Sequence, residues 1–222
     1  AIVLLWRDKL GQITLATTTL FWGAGATLQF IMLRWAQEML GINLSEAAYL
    51  QAIFAVGITV GAVLAGRFVP ISRAVEVVGV GIAMGVLAAV MALVTDKIPG
   101  IMLMLIVGAM SGFFVVPMNA LLQHRGHLLM GAGHSIAVQN FNENLSILVM
   151  LGIYALLIWI DLPVQWVIVL FSLFVSLSMV MVRAWHRSNL RRYPEEMQRL
   201  LAQAAEVDHS HHPPPSGGKR RH

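Results

Sequence analysis

The chain has 222 residues, of which 58% are hydrophobic and only 12% charged, with a mean hydropathy of +0.74. Soluble domains carry about 25% charged residues, so this composition excludes an ordinary soluble domain and predicts an integral membrane protein. The net charge of +4 and the pI near 10.0 come from basic residues between apolar runs and in the tail, where membrane topology accounts for them without nucleic acid. The lack of cysteine removes disulfides, thiolate metal sites and a cysteine nucleophile.

In chain order, residues 1–12 form a cytoplasmic lead-in. They are not a signal peptide, because Arg7 and Lys9 follow the short apolar stretch instead of preceding it. The start at Ala1, without a methionine and close to a span, reads as a fragment or a processed piece. Residues 13–185 hold six apolar runs, at 13–35, 47–69, 74–94, 100–122, 135–160 and 163–185. Each is long enough to cross a bilayer, which takes about 20 residues. The expected fold is therefore an all-α membrane protein of six transmembrane helices.

Arg7, Lys9, Arg67, Arg73, Arg125, Arg183, Arg187, Arg191 and Arg192 fall on one side of these runs, and only Arg34 and Lys97 on the other. That excess puts both termini in the cytoplasm. Glycines four apart (Gly57 and Gly61, Gly81 and Gly85, Gly108 and Gly112) let helix backbones approach closely, for packing or for a moving interface. Pro117, inside the fourth run, predicts a kink, again for packing or for gating. His124 and His127 flank Arg125 in what reads as a loop. After Trp185 comes a juxtamembrane segment, 186–207, in which Pro194-Glu195-Glu196 opens a short cytoplasmic helix. Its stripe of Met197, Leu200, Leu201 and Ala204 suits a membrane surface. Residues 208–222 have the composition of a disordered tail, and His209, His211 and His212 within it lack a carboxylate or thiol scaffold for a metal.

Chemistry concentrates in the fifth run. Ser135, Gln139, Asn142, Glu143 and Ser146 share one face of a helix at 100° per residue, and Asn140 and Asn144 widen it. Glu143 lies about 12 Å along the axis from Ser135, in the cytoplasmic half of the bilayer. Asn119 and Gln123 are one turn apart at the cytoplasmic end of the fourth run, where they would meet that face. A carboxylate and several amides inside a membrane cost several kcal/mol unless protein, water or a ligand receives them. They either glue helices together, with Glu143 paired to a basic loop residue, or line a hydrated path or ligand site. A weaker polar group, Gln29 and Arg34 with Gln37, Glu38 and Gln51, lies toward the opposite surface, where Arg34 snorkels to the interface or meets an anionic headgroup. Enzyme signatures are absent: no phosphate-binding glycine loop, no GxSxG and no HExxH. No cofactor is implied.

The strings FWGAGATLQF at 21–30, GFFVVPMNALLQHRG at 112–126 and GAGHSIAVQNFNEN at 131–144 resemble the bacterial lysophospholipid transporter family, part of the major facilitator superfamily. The resemblance covers about residues 5–185. It implies a twelve-span fold in two halves, of which this chain matches the second, with two three-helix inverted repeats and substrate passing between the halves. The missing partner is then an N-terminal six-helix half. The implied activity is inward flipping of lysophospholipids, notably lysophosphatidylethanolamine, across the inner membrane, followed by reacylation by an acyltransferase/acyl carrier protein synthetase. The resemblance also places Arg where this chain has Gln29, leaving Arg34 as the nearest replacement cation, and finds only a degenerate basic loop motif in GRFVPISR at 66–73. Two other functions fit the same spans: export of small drugs or metabolites, and a membrane scaffold that holds the acyltransferase through the helix at 194–207.

Overall fold

A computed structural model describes the backbone of residues 2–211 and the side chains of residues 3–206; the tail expected at 212–222 lies outside the described residues. All regular structure among them is helical: α1 (Ile2–Arg7), α2 (Lys9–Met39), α3 (Leu44–Phe68), α4 (Val78–Val90), α5 (Lys97–Met130), α6 (Ala132–Trp159), α7 (Val164–Arg192) and α8 (Pro194–His211). Short 3-10 runs at Ile71–Val77 and Met91–Leu93 extend α4 at both ends.

Five of these helical stretches are long and apolar enough to cross a membrane: α3, Ile71–Leu93, α5, α6 and α7. The first expected span lies in α2, whose 31 residues suffice in length, but which carries Gln12, four threonines from Thr14 to Thr19, Thr27, Gln29 and Arg34. Burial explains why this polarity is tolerated. Thr14, Thr17, Thr18 and Thr27 are all fully buried, and their hydroxyls donate back to carbonyls of their own helix, as Thr17 does to Ile13 at 2.6 Å and Thr27 to Gly23 at 2.9 Å. A helix surrounded by protein needs no lipid-soluble surface.

Helix pairing is set by small residues. The largest interface joins α3 to α5. A Cβ on Gly61 would stand 1.8 Å from the Ala109 carbonyl oxygen, one on Gly112 2.0 Å from that of Ile58, and one on Gly108 2.3 Å from that of Phe54. The backbones thus touch, and the register rises together, so the two helices run parallel. Helices α2 and α6 also run parallel: Leu15 clusters with Val138, and Gly23 meets Ser146 eight residues further along each helix. Helices α4 and α7 run antiparallel, with Gly81 against Met179 and Gly85 against Ser176.

Three sequence expectations change. The fourth run does not end near Leu122: α5 continues to Met130, so His124, Arg125 and His127 are helical and not in a loop. Only Gly131, at φ +78, separates α5 from α6. The apolar stripe of α8 does not lie on a membrane, because Met197, Leu200 and Ala204 are buried in a core cluster with Ala74, Val75 and Val78. Helix α8 also includes 208–211, the first residues of the expected tail.

Arg125 is not a surface charge. It is 3% exposed, its Nη2 and Nε donate to the two carboxylate oxygens of Asp8, the latter at 3.2 Å, and its Nη1 donates to Gln203 Oε1 of α8 at 2.8 Å. Asp8 is also the N-cap of α2, accepting from the Gly11 amide at 2.7 Å. Removing one member of such a pair strands a buried charge at a cost of about 3–5 kcal/mol, whereas the exposed Arg73–Glu76 pair is screened by solvent and contributes little.

Two outcomes follow for unfolding in detergent. Asp8→Ala lowers stability by about 3 kcal/mol or more, and Arg73→Ala leaves it nearly unchanged; equal losses would refute the assigned role of the buried pair. Gly61→Ala forces α3 away from α5 and lowers stability by about 1–3 kcal/mol, while Gly66→Ala, with nothing within 4 Å, does not.

Candidate functional site

The polar group expected on the fifth run is assembled where α5 and α6 meet. Gln139 is 6% exposed, and its amide nitrogen donates to Glu143 Oε1 at 2.8 Å and to Asn119 Oδ1 of α5 at 3.3 Å. Spacing explains the first bond, since residues four apart on a helix are neighbours. Parent helix packing explains the second. Ser135, one turn before Gln139, lies where a Gly126 Cβ would be, 1.8 Å from its hydroxyl, so α5 and α6 are close at that level. Glu143 pairs with no basic residue among the described side chains; the Gln139 amide donates to it instead. Asn119 and Glu143 are half-buried.

The remaining candidates go elsewhere. Asn142 donates to the Val138 carbonyl of its own helix at 2.7 Å. Asn140 and Asn144 are exposed, and Asn144 donates to the Asn140 carbonyl at 2.8 Å, so both belong to the outer face of α6. Gln123 is exposed, one turn beyond Asn119. Pro117 is buried inside an α5 that runs on through it. The sequence treated these residues as one set; the structure brings together Asn119, Gln139 and Glu143 alone.

Gln29 and Arg34 form no part of that cluster. Arg34 Nε pairs with Glu38 Oε1 at 2.5 Å, one turn on along α2. Because Gly23 and Ser146 lie level and α2 and α6 run parallel, Arg34 stands about 20 Å along the axis from Glu143. Between these levels is a cleft of about 280 Å³ lined mainly by apolar side chains, among them Phe21, Trp22, Met32, Phe54, Ile58 and Met84, with Gln29, Ser111 and Ser172 as its polar members. Ile147 also lines it, one helical turn from Glu143, so the polar cluster and the apolar cleft adjoin along α6. No group of three or more potential metal ligands occurs among the described residues.

Sequence reasoning missed Asp8, Gln203 and the true place of Arg125. The available signal was Asp8 three residues before Gly11 at the start of a helix, an N-cap pattern in a segment read as lead-in.

Comparison with known proteins adds named relatives. Lysophospholipid transporter LplT of Shigella boydii serotype 4 (strain Sb227) and that of Escherichia coli (strain K12) are each 41% identical to the chain over 184 residues. The same protein of Escherichia coli O139:H28 (strain E24377A / ETEC) is 40% identical over 184 residues. The match covers 82% of this chain and 46% of each relative, so the chain spans about half the length of the curated relatives it matches. No family model matches the chain, and no solved structure does. Along the matched stretch, this multi-span helical membrane chain is similar to lysophospholipid transporters.

Proposed function

We propose that the chain is the C-terminal six-span half of a major facilitator transporter that flips lysophospholipids, notably lysophosphatidylethanolamine, inward across the bacterial inner membrane. The observation that carries this reading is the 41% identity to lysophospholipid transporters along 82% of the chain. Helix pairing supports the superfamily. Exchanging α2 with α5, α3 with α6 and α4 with α7 turns the α3–α5 interface into the α6–α2 interface, and leaves the α4–α7 pair in place; all three are among the largest in the molecule. Two inverted three-helix repeats generate that pattern. It requires α2 to cross the membrane as the sixth span, with both termini in the cytoplasm.

The missing half docks on α3 and α6, the least buried of the apolar spans. Asn140 and Asn144 are exposed on α6. Facing lipid they would be costly, and facing a second half across a hydrated route they would not. In this arrangement Gln139, Glu143 and Asn119 form a wall of the headgroup path on the cytoplasmic side, with Gln139 orienting the carboxylate and Glu143 receiving the ammonium of the headgroup. Arg34, at the other end, meets the phosphate as it enters. The apolar cleft accommodates the acyl chain. The product is reacylated by a partner acyltransferase/acyl carrier protein synthetase.

The test is uptake of labelled lysophosphatidylethanolamine by spheroplasts carrying the full-length protein. Glu143→Gln lowers uptake about tenfold or more, in line with the ~1.5–3 kcal/mol carried by a hydrogen bond to a charged group. Uptake at the wild-type level in that variant removes Glu143 from the path. No uptake above background by the wild-type protein, with resistance to small drugs instead, replaces the substrate assignment.

A further inference from the structure

The cytoplasmic-end arginines of α7 have no role in the path. Helix α7 has 29 residues, about 43 Å at 1.5 Å per residue, against a hydrocarbon core of about 30 Å. Roughly its last two turns therefore stand at headgroup depth. One face of the helix is buried through Phe171, Val175, Met179 and Val182. The opposite face exposes Leu173, Leu177 and Val180, at 52%, 53% and 47%. At 100° per residue, Ala184, Arg187 and Arg191 continue that same strip within an arc of about 80°, and all three are exposed. A lipid-facing apolar stripe thus runs without a turn into two guanidiniums one helical turn apart.

Aromatic residues mark the depth at which this happens. Trp185 stacks on Trp6 of α1 with ring centroids 5.8 Å apart, and indoles concentrate at the membrane–water boundary. Arg187 and Arg191 then lie about 3 and 9 Å beyond that level. The ion pairs among the described residues involve Arg34, Arg73 and Arg125, and none of the α7 arginines. Glu195 and Glu196 follow in sequence but lie past the break at Tyr193.

We propose that this strip is a binding site for an anionic glycerophospholipid of the surrounding leaflet, with its phosphate between Arg187 and Arg191 and an acyl chain along Leu173, Leu177 and Val180. Topology alone asks only that basic residues be on this side of the membrane. It does not ask that they extend the lipid-facing stripe or stay unpaired with carboxylates. A soluble anion would use the arginines but not the strip, and the strip leads directly into the acyl region. The site is separate from the proposed substrate path and holds whichever substrate crosses.

The test uses the intact protein in mild detergent, offered equimolar phosphatidylglycerol and phosphatidylcholine, with bound lipid counted by native mass spectrometry. The wild-type protein retains phosphatidylglycerol preferentially. Replacing both arginines, Arg187→Gln with Arg191→Gln, lowers the ratio of the two retained lipids by about fivefold for each arginine removed, while Arg67→Gln, an exposed arginine at the end of α3, leaves it unchanged. Size-exclusion profiles that match across the three proteins establish that all are folded. An unchanged ratio in the double variant overturns the site, as does an equal drop in Arg67→Gln, which would mean bulk charge. Stripping of phosphatidylglycerol by excess inorganic phosphate overturns the lipid assignment.

Discussion

The bundle is tied together at one end by the buried pair between Asp8 and Arg125. Asp8 caps α2, so it fixes where that helix starts and how it is rotated. Arg125 belongs to α5 and carries α8 through Gln203. One carboxylate therefore sets three helices against one another. The rest follows from α2 and α5. Helix α5 holds α3 through backbone contact at glycine, and α2 holds α6 in parallel register from Leu15 to Gly23. The pair is costly to bury and costlier to break, which suits an element that must have one geometry. Its position at the end where α1, α5 and α8 converge also explains why α8 spends its apolar stripe on protein: Gln203 reaches Arg125 only if Met197, Leu200 and Ala204 face the bundle.

The register of α2 against α6 separates the polar residues into two levels. Glu143 and its amides are on one side of the Gly23–Ser146 contact, and Arg34 with Glu38 is far on the other. Apolar surface fills the distance between them. A helix can keep a carboxylate, an amide and an arginine near the membrane in this way because each has a partner on its own or a neighbouring helix, at a single turn's distance in the cases of Glu143 and Arg34. Polar groups at two levels with apolar surface between them form the pattern on which the proposed substrate path rests.

Much of this was legible in the sequence. Apolar runs marked five helices to within a few residues at most ends, and helical spacing put Gln139 and Glu143 together, because a four-residue interval on one helix needs no tertiary knowledge. Asn119 could be named as a neighbour from span order alone. Asn140 and Asn144 could not be separated from that set, since projection onto a wheel gives a face but not which neighbour covers it. The α5 boundary failed for a different reason: Gln123 to His127 is polar enough to read as a loop, and only the burial of Arg125 against Asp8, 117 residues away in sequence, makes the helix continue. Helix α2 shows the converse. Its threonines give it a lower hydropathy than the five apolar spans, yet Thr14, Thr17, Thr18 and Thr27 are fully enclosed by protein.

Those threonines bear on how a transporter half would work. A helix that must shift against neighbours without exposing unsatisfied groups gains from hydroxyls bonded to its own backbone, because such bonds travel with it. Thr14, Thr17 and Thr27 are bonded this way on α2, as is Ser111 on α5. These two helices exchange places under the proposed repeat symmetry and both line the cleft. Side-chain bonds that cross between helices include Arg125 to Asp8 and Gln139 to Asn119 toward one end, Ser111 to Met84 Sδ within the cleft, and Gln51 to the Gln29 carbonyl on its far side. Rocking of α2 and α5 against the rest would then break those few cross-helix contacts, while Thr14, Thr17 and Thr27 on α2 and Ser111 on α5 keep the bonds to their own backbone and the cleft between them changes shape.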